Sequence, residues 1–441
     1  MKKQSELSTS SRRGFIKSSG ITAAGAAFAP RIAGAFTGGD DEIKVGLVGC
    51  GGKGNSDIRQ VLNTEGKVKL WAVGDAFEDR AKSTAAAHGK GPNKDKVDTE
   101  GRVFHGFDAY KKVIDSGVDV VFLVTTPGFR PMHYEYAINQ GKHVFMQKPC
   151  AVDAAGVRKL IEMTEVARKK NLRVGVGFQR RHDPRYIDTI AALHDGKIGD
   201  FVAFRAYWDG RTPWVRPRKE GQTEMEYQMR NWYYFNWLCG DHILEQHIHN
   251  IDVCNWVMGD VPTLAQGKGG CEVRKGPEYG ETFDHHVVEF VYGPKWDFGT
   301  RMNSSCRHIK GCWGNVSEQV HGTNGFCLIG GGKIFDNDGK LIWKSEAQGN
   351  SEVLQKAAFI DAIRNNKEFN EGDYGASSTM TATFGRMATY SGQLLRYKDA
   401  LASKVDVFPH GEDLTMDSKP PVVPREDGWY DKPVPGKTKV I

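Results

Sequence analysis

The first part of the chain alternates short apolar runs with stretches of helical periodicity. The run 118–124 is almost continuously apolar, which is typical of a central strand in a parallel sheet covered on both faces. The alternation predicts repeated βαβ units and an open parallel sheet. The predicted strands are 67–73, 103–105, 118–124 and 173–178, and the predicted helices are 55–62, 76–88, 107–116, 132–140 and 154–170.

A glycine cluster follows the first apolar run, with the spacing Gly49-x-Gly51-x-x-Gly54. In dinucleotide-binding folds, such glycines allow a tight turn, close approach of a pyrophosphate, and helix packing on the strand. Asp75 ends the next strand, where a carboxylate can bind the ribose hydroxyls of NAD and repel the 2′-phosphate of NADP. An unrelated glycine turn and a helix-capping aspartate are the alternatives. Together these features predict a Rossmann domain that binds NAD through Gly49, Cys50, Gly51, Gly52, Lys53, Gly54 and Asp75.

The pattern changes to strand alternation in the second half of the chain. Residues 201–208, 283–292 and 296–306 alternate, and a Gly-Pro turn makes the last two a hairpin. A further strand is predicted at 327–334, and helices at 353–365 and 377–397. The predicted fold class is α/β, with an N-terminal Rossmann domain (42–165) and a C-terminal α+β domain (166–400) containing a large, mostly antiparallel open sheet. An extended tail (401–441) follows.

The charge of the chain is concentrated at its N-terminus. Residues 1–35 contain six basic residues and one acidic residue, so most of the formal charge of +6 lies there. The remainder is nearly neutral and gives no reason to expect nucleic acid or an anionic membrane surface as a partner.

Residues 1–35 also have the order of elements found in a twin-arginine signal peptide. Ser11-Arg12-Arg13 precedes Gly14-Phe15-Ile16-Lys17, an Ala/Gly-rich stretch at 21–29, and a small-residue site ending at Ala35. The apolar stretch is too short to span a bilayer, so we expect no membrane anchoring. A disordered basic tail is the alternative. The interpretation predicts export to the periplasm in folded form, and therefore a cofactor that stays tightly bound.

Several sequence motifs resemble those of the glucose–fructose oxidoreductase / inositol dehydrogenase (Gfo/Idh/MocA) family. After the glycine loop come Thr125-Thr126-Pro127, His133, and a segment ending in Gln147-Lys148-Pro149. The family usually has Glu-Lys-Pro here, so this chain lacks one carboxylate. The resemblance covers roughly 42–397 and implies that Lys148 lies beside the nicotinamide and the substrate hydroxyl; an exposed surface lysine is the alternative. It also implies the cofactor contacts Thr125, Thr126, Pro127, His133, Gln147 and Lys148.

The segment 240–256 is the second candidate site. If it forms one helix, Glu245, His249 and Asp252 share a face. A histidine has the intrinsic pKa to take a hydroxyl proton near neutral pH, and Glu245 could orient His249 and raise its basicity. The pair resembles the family's second signature, in which the first residue is usually Asp. The predicted catalytic residues are Lys148, His249 and Glu245.

Further polar residues near these motifs are candidate substrate contacts. They are Gln179, Arg180, His247 and Asp252. For Gln179 and Arg180 a surface position is the alternative, and for His247 the alternative is a buried partner of another side chain. The aromatic cluster 232–237 is expected in the core, although such rings can stack on sugars. The group His242, Glu245, His247 and His249 lacks a metal-ligand spacing, so no metal is predicted.

The sequence thus predicts an NAD-dependent oxidoreductase that transfers a hydride between tightly bound NAD(H) and a hydroxyl of a sugar, polyol or sugar derivative. The first alternative is an NAD-dependent glycoside-cleaving enzyme that works by transient ring oxidation and elimination. The second is a non-catalytic sugar-binding protein. A homo-oligomer, dimer or tetramer, is expected to form through the open sheet.

Overall fold

The computed structural model describes residues 41–408 and 413–441. The predicted signal segment, 1–35, lies outside these ranges. Among the described residues, no helix combines the length and the apolar character needed to cross a bilayer.

The first sheet is fully parallel and forms the Rossmann part of the chain. Its strand order is β3-β2-β1-β4-β5-β6, with β1 at the centre beside β2 and β4. Every residue of β4 is buried, as its apolar run predicted. The strands are β1 (Ile43–Val48), β2 (Val68–Asp75), β3 (Val103–His105), β4 (Val120–Leu123), β5 (His143–Met146) and β6 (Val174–Val176).

Helices connect these strands and cover the sheet. They are α1 (Gly52–Leu62), α2 (Glu78–Gly89), α3 (Ala109–Asp115), α4 (Arg130–Asn139) and α5 (Ala154–Lys169). Helix α1 begins three residues earlier than predicted, so the glycine loop itself enters the helix. Strand β6 pairs with β5, and the parallel sheet therefore extends past the predicted boundary at residue 165.

The second sheet has nine strands in the order β14-β13-β12-β11-β7-β10-β9-β8-β15. Its pairs are antiparallel except β7 with β10, which confirms a large, mostly antiparallel sheet. The strands are β7 (Phe201–Gly210), β8 (Leu264–Gly270), β9 (His285–Lys295), β10 (Phe298–His308), β11 (Asn315–Gly322), β12 (Gly325–Leu328), β13 (Lys333–Phe335), β14 (Leu341–Lys344) and β15 (Leu395–Arg396).

Two predicted elements in this half were wrong in their extent. The single strand predicted at 327–334 is two strands, because a glycine-rich turn with Gly332 at φ +63° separates β12 from β13. The helix predicted at 377–397 ends at Ser391, because Gly392 adopts a left-handed conformation at φ +67° and caps it.

The helices of the second half are α6 (Pro184–His194), α7 (Glu224–Arg230), α8 (Asn236–Cys239), α9 (His242–Glu245), α10 (Ile248–Met258), α11 (Ser351–Arg364), α12 (Gly372–Ser391) and α13 (Tyr397–Leu401). Helix α12 packs on α5 of the first half and on β8 of the second, and α11 packs on α1. Helix α12 therefore joins the Rossmann part to the second sheet, and α11 covers α1.

The described part of the tail packs on the body of the same chain. Residues 413–441 contain turns but no helix or strand. The Tyr430 ring meets the Phe235 ring edge-on at 5.0 Å, and Thr223 donates a hydrogen bond to the Met416 carbonyl at 2.5 Å.

Candidate active site

A cavity of about 710 Å³ opens where the carboxyl ends of the parallel strands meet the second half of the chain. Gly49 follows β1, Asp75 ends β2, Thr125 follows β4, and Lys148 follows β5; all four line the cavity. Glu245 and His249 line it from the other side. The carboxyl edge of an open α/β sheet is the usual place for a ligand.

The glycine loop has one tightly packed part and one open part. A Cβ at Gly54 would lie 2.1 Å from the Gly49 carbonyl oxygen, and Gly49 itself has φ +103°. A Cβ at Gly51 or Gly52 would meet no atom within 4 Å, and both residues line the cavity at the N-terminus of α1. The loop therefore fits a bound pyrophosphate, with free space and helix N–H groups on the cavity side.

The Asp75 carboxylate is buried at the edge of the cavity. Its two oxygens accept hydrogen bonds from the Cys50 N–H at 2.7 Å and the Phe77 N–H at 2.9 Å. Burial raises the pKa of Asp75, and these amide donors oppose that rise. A carboxylate oxygen can accept two hydrogen bonds and each of these accepts one from an amide, so Asp75 keeps acceptor capacity for the predicted ribose contact.

The residues after β4 form a second cofactor wall. The Thr125 hydroxyl lies 3.3 Å from His133 Nδ1, and the His133 ring stacks on Tyr110 at 4.1 Å. Burial, helped by the charge of Arg130, lowers the pKa of His133 to about 3, so its ring is neutral. Thr125, Thr126 and His133 line the cavity, whereas Pro127 is buried outside the lining at the start of a 3₁₀ turn.

Gln147, which departs from the family pattern, contacts a buried carboxylate. Its Nε2 donates to Asp57 Oδ2 of α1 at 2.7 Å, and Asp57 is fully buried. The ammonium groups of Lys53 and Lys356 lie 3.3 and 3.2 Å from Asp57 Oδ1. Lys53 also pairs with Glu352 of α11 at 2.7 Å. Gln147 thus belongs to a polar network around the Asp57 carboxylate that ties α11 to the glycine loop.

Lys148 forms a buried ion pair with Glu245 across the cavity. Its Nζ lies 3.0 Å from Glu245 Oε2 and also donates to the Glu245 carbonyl oxygen. The side chains are 12% and 7% exposed. Burial lowers the pKa of Lys148, and the Glu245 carboxylate partly opposes this. The lysine is therefore not a free surface residue.

His249 stands apart from Glu245, contrary to the single-helix expectation. Glu245 ends α9, whereas His249 belongs to α10, which starts at Ile248. The His249 ring packs against Trp208 at 6.0 Å and meets Phe178 edge-on at 6.2 Å. Its Nδ1 has no hydrogen-bond partner in the described part of the chain. Burial, followed by the charge of Lys148, holds its pKa well below the usual range, so its basicity is lowered rather than raised.

Of the four predicted substrate contacts, only Gln179 lines the cavity. Arg180 is bound to the buried Glu318 carboxylate. His247 pairs through Nε2 with the Ser304 hydroxyl at 2.7 Å. Asp252 lies in an ion pair with Arg181 at 2.9 Å. These three side chains are held in internal contacts, and none of them lines the cavity.

Other residues of the lining were missed or left as core in the sequence. Met229 comes from α7, Trp232 comes from the aromatic cluster 232–237, and Glu352 comes from α11, some 300 residues after the glycine loop. Of these three, only Trp232 could have been found from the sequence, because it belongs to the aromatic cluster whose rings can stack on sugars. The further missed residues are Val48, Ala76, Phe77, Arg80, Gly106, Phe107, Ala109, Tyr110, Val124, Phe129, Arg130, Trp214, Arg216 and Gln246.

The histidine-rich segment does not converge on a metal as a single group. Within the described ranges, ligand atoms of Asp241, His242 and His286 do lie within 4.8 Å of one another, all buried. The Arg274 guanidinium is 3.9 Å from Asp241 Oδ1 and already balances that carboxylate. A divalent ion there would add buried positive charge beside an arginine, and we assign none.

Comparison with known proteins agrees with the fold and the glycine loop. Residues 43–178 match the profile of the Gfo/Idh/MocA family, described as an oxidoreductase family with an NAD-binding Rossmann fold. The match confirms the predicted Rossmann fold and NAD as the cofactor.

Inositol dehydrogenases are among the similar sequences. The chain is 33% identical over 160 residues to inositol 2-dehydrogenase 1 of Saccharopolyspora erythraea, covering 36% of this chain and 44% of the relative. It is 30% identical over 227 residues to inositol 2-dehydrogenase of Burkholderia cenocepacia, covering 51% and 57%. The aligned region thus spans about half the length of these curated relatives.

A solved structure shares the whole architecture. Scyllo-inositol dehydrogenase from Lactobacillus casei, with bound NAD(H) and scyllo-inositol, aligns with 81% of this chain and all of its own, at a TM-score of 0.61 and 22% identity. At this identity the likeness shows the fold. The profile match and the glycine loop place the resemblance to the Gfo/Idh/MocA family of oxidoreductases in residues 43–178.

Proposed function

We propose that the protein is an NAD-dependent oxidoreductase acting on a hydroxyl of a sugar, polyol or sugar derivative. The observation that carries the proposal is the buried Lys148–Glu245 ion pair, which shares one cavity with the glycine loop and His249. A non-catalytic binding protein would have no need to keep a lysine and a neutral histidine buried beside a nucleotide loop.

The cofactor would be held by residues that already form its walls. Gly51 and Gly52 leave space at the N-terminus of α1, and Asp75, Thr125 and His133 line the adjoining walls. When bound, NAD supplies the hydride acceptor and donor for the reaction.

Lys148 would position and polarise the reacting hydroxyl. Its ammonium is fixed by Glu245, so its remaining N–H can donate to a substrate oxygen. A hydrogen bond from a buried cation stabilises the developing alkoxide more than it stabilises the hydroxyl. Glu245 then acts as the positioning partner of Lys148.

His249 would accept the hydroxyl proton. Its lowered pKa keeps the imidazole neutral at neutral pH, and the residue lines the same cavity as Lys148. The positive charge of Lys148 opposes protonation of the ring, so the proton must leave again readily. The histidine therefore suits a reversible transfer.

The substrate class is supported by the similar proteins. The curated relatives are named inositol 2-dehydrogenases, and the solved neighbour holds scyllo-inositol. Product analysis tests the reaction: we expect a keto product with one NADH formed per substrate oxidised. Free sugar released without NADH would contradict net oxidation and indicate redox-neutral glycoside cleavage.

We also propose export to the periplasm, from the twin arginines at Arg12 and Arg13, with NAD retained in each molecule. Arg230 at the end of α7 pairs with Asp79 of α2 at 3.2 Å, and its guanidinium lies 3.9 Å from the centre of the Phe77 ring. This contact joins the two halves beside Asp75 and would slow release of the nucleotide. Acid extraction of the purified protein should yield close to one NAD(H) per chain, and its absence would contradict the retention.

A homo-oligomer, dimer or tetramer, remains our proposal for assembly. Helices α10 and α12 pack against one face of the second sheet. The other face carries Tyr207, Ser305 and Val287 side by side, with Val287 52% exposed. Analytical ultracentrifugation should give the mass of two or four chains for the wild-type protein and a lower mass for Val287→Asp. A monomeric wild-type protein would contradict this assembly.

A further inference from the structure

The cavity that contains Lys148 and His249 is also lined by a second group of side chains. Trp214, Arg216 and Trp232 line it together with Gln246. We call Trp214, Arg216 and Trp232 the outer group. The proposed hydride and proton transfers use none of these three, so they are candidate contacts for a part of the ligand that does not react.

The outer group belongs to the substrate half of the cavity. The Thr212 hydroxyl donates to the His308 carbonyl at 2.6 Å, which ties the loop before Trp214 to the end of β10. Tyr233, next to Trp232, stacks on the His308 ring at 6.1 Å. These contacts attach the segments that carry the outer group to the end of β10, while Trp232 also packs against the cluster that contains Phe77 and Phe129.

Two indole rings form an open aromatic corner. The Trp214 and Trp232 ring centres are 5.8 Å apart, with 64° between their planes. Trp214 is 40% exposed. Trp214 and Trp232 both line the cavity, so their indole surfaces adjoin the space that a ligand would occupy. An aromatic face stacks well on the C–H face of a sugar ring.

The backbone on both sides of Trp214 is fixed. The Pro213 carbonyl accepts a hydrogen bond from the Tyr234 hydroxyl at 3.1 Å. The Arg216 N–H donates to the Asn231 side-chain oxygen at 2.8 Å. Tyr234 and Asn231 are fully buried, so they anchor this exposed segment to the core. Trp214 is thus preorganised, which reduces the entropy lost on binding.

Arg216 supplies hydrogen-bond donors beside the rings. Its guanidinium lies 5.3 Å from the centre of the Trp214 ring, and it forms no ion pair with the described residues. A cation with five N–H donors and no carboxylate partner fits a ligand rich in oxygen acceptors. Hydroxyl oxygens around a stacked sugar ring meet that requirement.

We propose that the outer group is a subsite for a second sugar ring, so that the substrate is a glycoside of at least two rings rather than a free cyclic polyol. The inference rests on the proposed oxidoreductase function. The reacting ring lies by Lys148 and His249, and the ring linked to it stacks in the corner of Trp214 and Trp232 with its hydroxyls toward Arg216.

The test compares two-ring and one-ring compounds. Cellobiose, maltose and lactose are assayed against glucose, galactose and myo-inositol with the NAD-loaded protein, by NADH formation and, separately, by calorimetric binding. We expect at least one two-ring compound to exceed its one-ring counterpart by about tenfold or more in kcat/KM. Trp214→Ala should remove that advantage, with an increase of about tenfold in Kd for the two-ring compound only.

A matched control is available in Trp313. Its side chain is 69% exposed and lies outside the cavity lining. Trp313→Ala should therefore leave Kd and kcat/KM unchanged for every compound. Arg216→Ala is a second test variant, and like Trp214→Ala it should weaken binding of the two-ring compound only. One-ring compounds that bind and react as well as the two-ring compounds would overturn the subsite, as would an equal loss for both classes in Trp214→Ala.

The binding arm separates this inference from the proposed function. If no compound yields NADH but a two-ring compound binds and loses affinity in Trp214→Ala, the oxidoreductase proposal fails and the subsite stands. If NADH forms with one-ring compounds alone and no two-ring compound binds, the subsite fails and the oxidoreductase proposal stands.

Discussion

Replacing Glu245 by glutamine should shift the pH range in which the protein works. The change removes the charge that lies 3.0 Å from Lys148 Nζ and keeps the shape of the side chain. In the wild-type protein, burial lowers the pKa of Lys148 and the Glu245 carboxylate opposes that effect. Without the carboxylate only the lowering influences remain, so the lysine must lose its proton at a lower pH.

The magnitude follows from the geometry of the pair. Two unit charges 3.0 Å apart attract by about 5 kcal/mol at an effective dielectric constant of about 20. Removing one partner of a buried pair costs about 3–5 kcal/mol. At about 1.4 kcal/mol per pKa unit, we expect the pKa of Lys148 to fall by about 2 units or more. The alkaline limit of kcat/KM should move to lower pH by the same amount.

The assay is the pH dependence of kcat/KM, followed by NADH formation. Glu135→Gln is the matched control, because Glu135 pairs with Lys159 at 2.8 Å on the surface, where the same change should have almost no effect. An alkaline limit that stays in place in Glu245→Gln, in a protein that still folds, would refute the role given to the Lys148–Glu245 pair.

Four further predictions concern the cofactor loop, the retention contact and the base. Gly54→Ala should destabilise the fold by about 2 kcal/mol, because the new Cβ would meet the Gly49 carbonyl oxygen. Gly52→Ala should keep the wild-type melting temperature and weaken NAD binding. Equal melting temperatures for the two variants would contradict this reasoning. Gln147→Glu should lower the free energy of unfolding, measured with denaturant, by about 2 kcal/mol, because a second carboxylate replaces the group that donates to Asp57 at 2.7 Å. Adding Asp57→Asn to the same chain should restore most of the lost stability. Arg230→Ala should speed NAD dissociation measured by stopped-flow fluorescence, while Arg218→Ala, which breaks the Arg218–Glu224 pair of the same region, should not. The acid limit of kcat/KM should lie below the ordinary histidine pKa of about 6.5, since the pKa of His249 is lowered, and a limit at that value would count against His249 as the base.

The Rossmann half could be predicted because its signals are local. The glycine spacing, the acid ending β2 and the apolar β4 each reflect a requirement of a few neighbouring residues. The cofactor contacts were predicted from the same motifs, and nearly all of the predicted residues line the cavity. Only Pro127 does not, because it is buried in the turn that begins there.

The second half of the site could not be read in this way. A single helix through 240–256 was a reasonable expectation, but the chain turns at Gln246 and His247, and Glu245 and His249 belong to different helices. The partner of Glu245 is Lys148, which lies 97 positions away. Arg180 looked available for substrate until the fold placed Glu318 beside it. Such pairings depend on tertiary packing, which no local spacing encodes.

The measurement that bears most directly on the proposed function is a single-turnover experiment with Lys148→Ala beside the wild-type protein. Both are loaded with NAD, the bound nucleotide is quantified, and the near-ultraviolet absorbance of NADH is followed after addition of a substrate that the wild-type protein oxidises. We predict equal NAD content in the two proteins and a loss of at least about a hundredfold in the rate of NADH formation in the variant. A variant that binds NAD and reduces it at the wild-type rate would contradict the proposed mechanism.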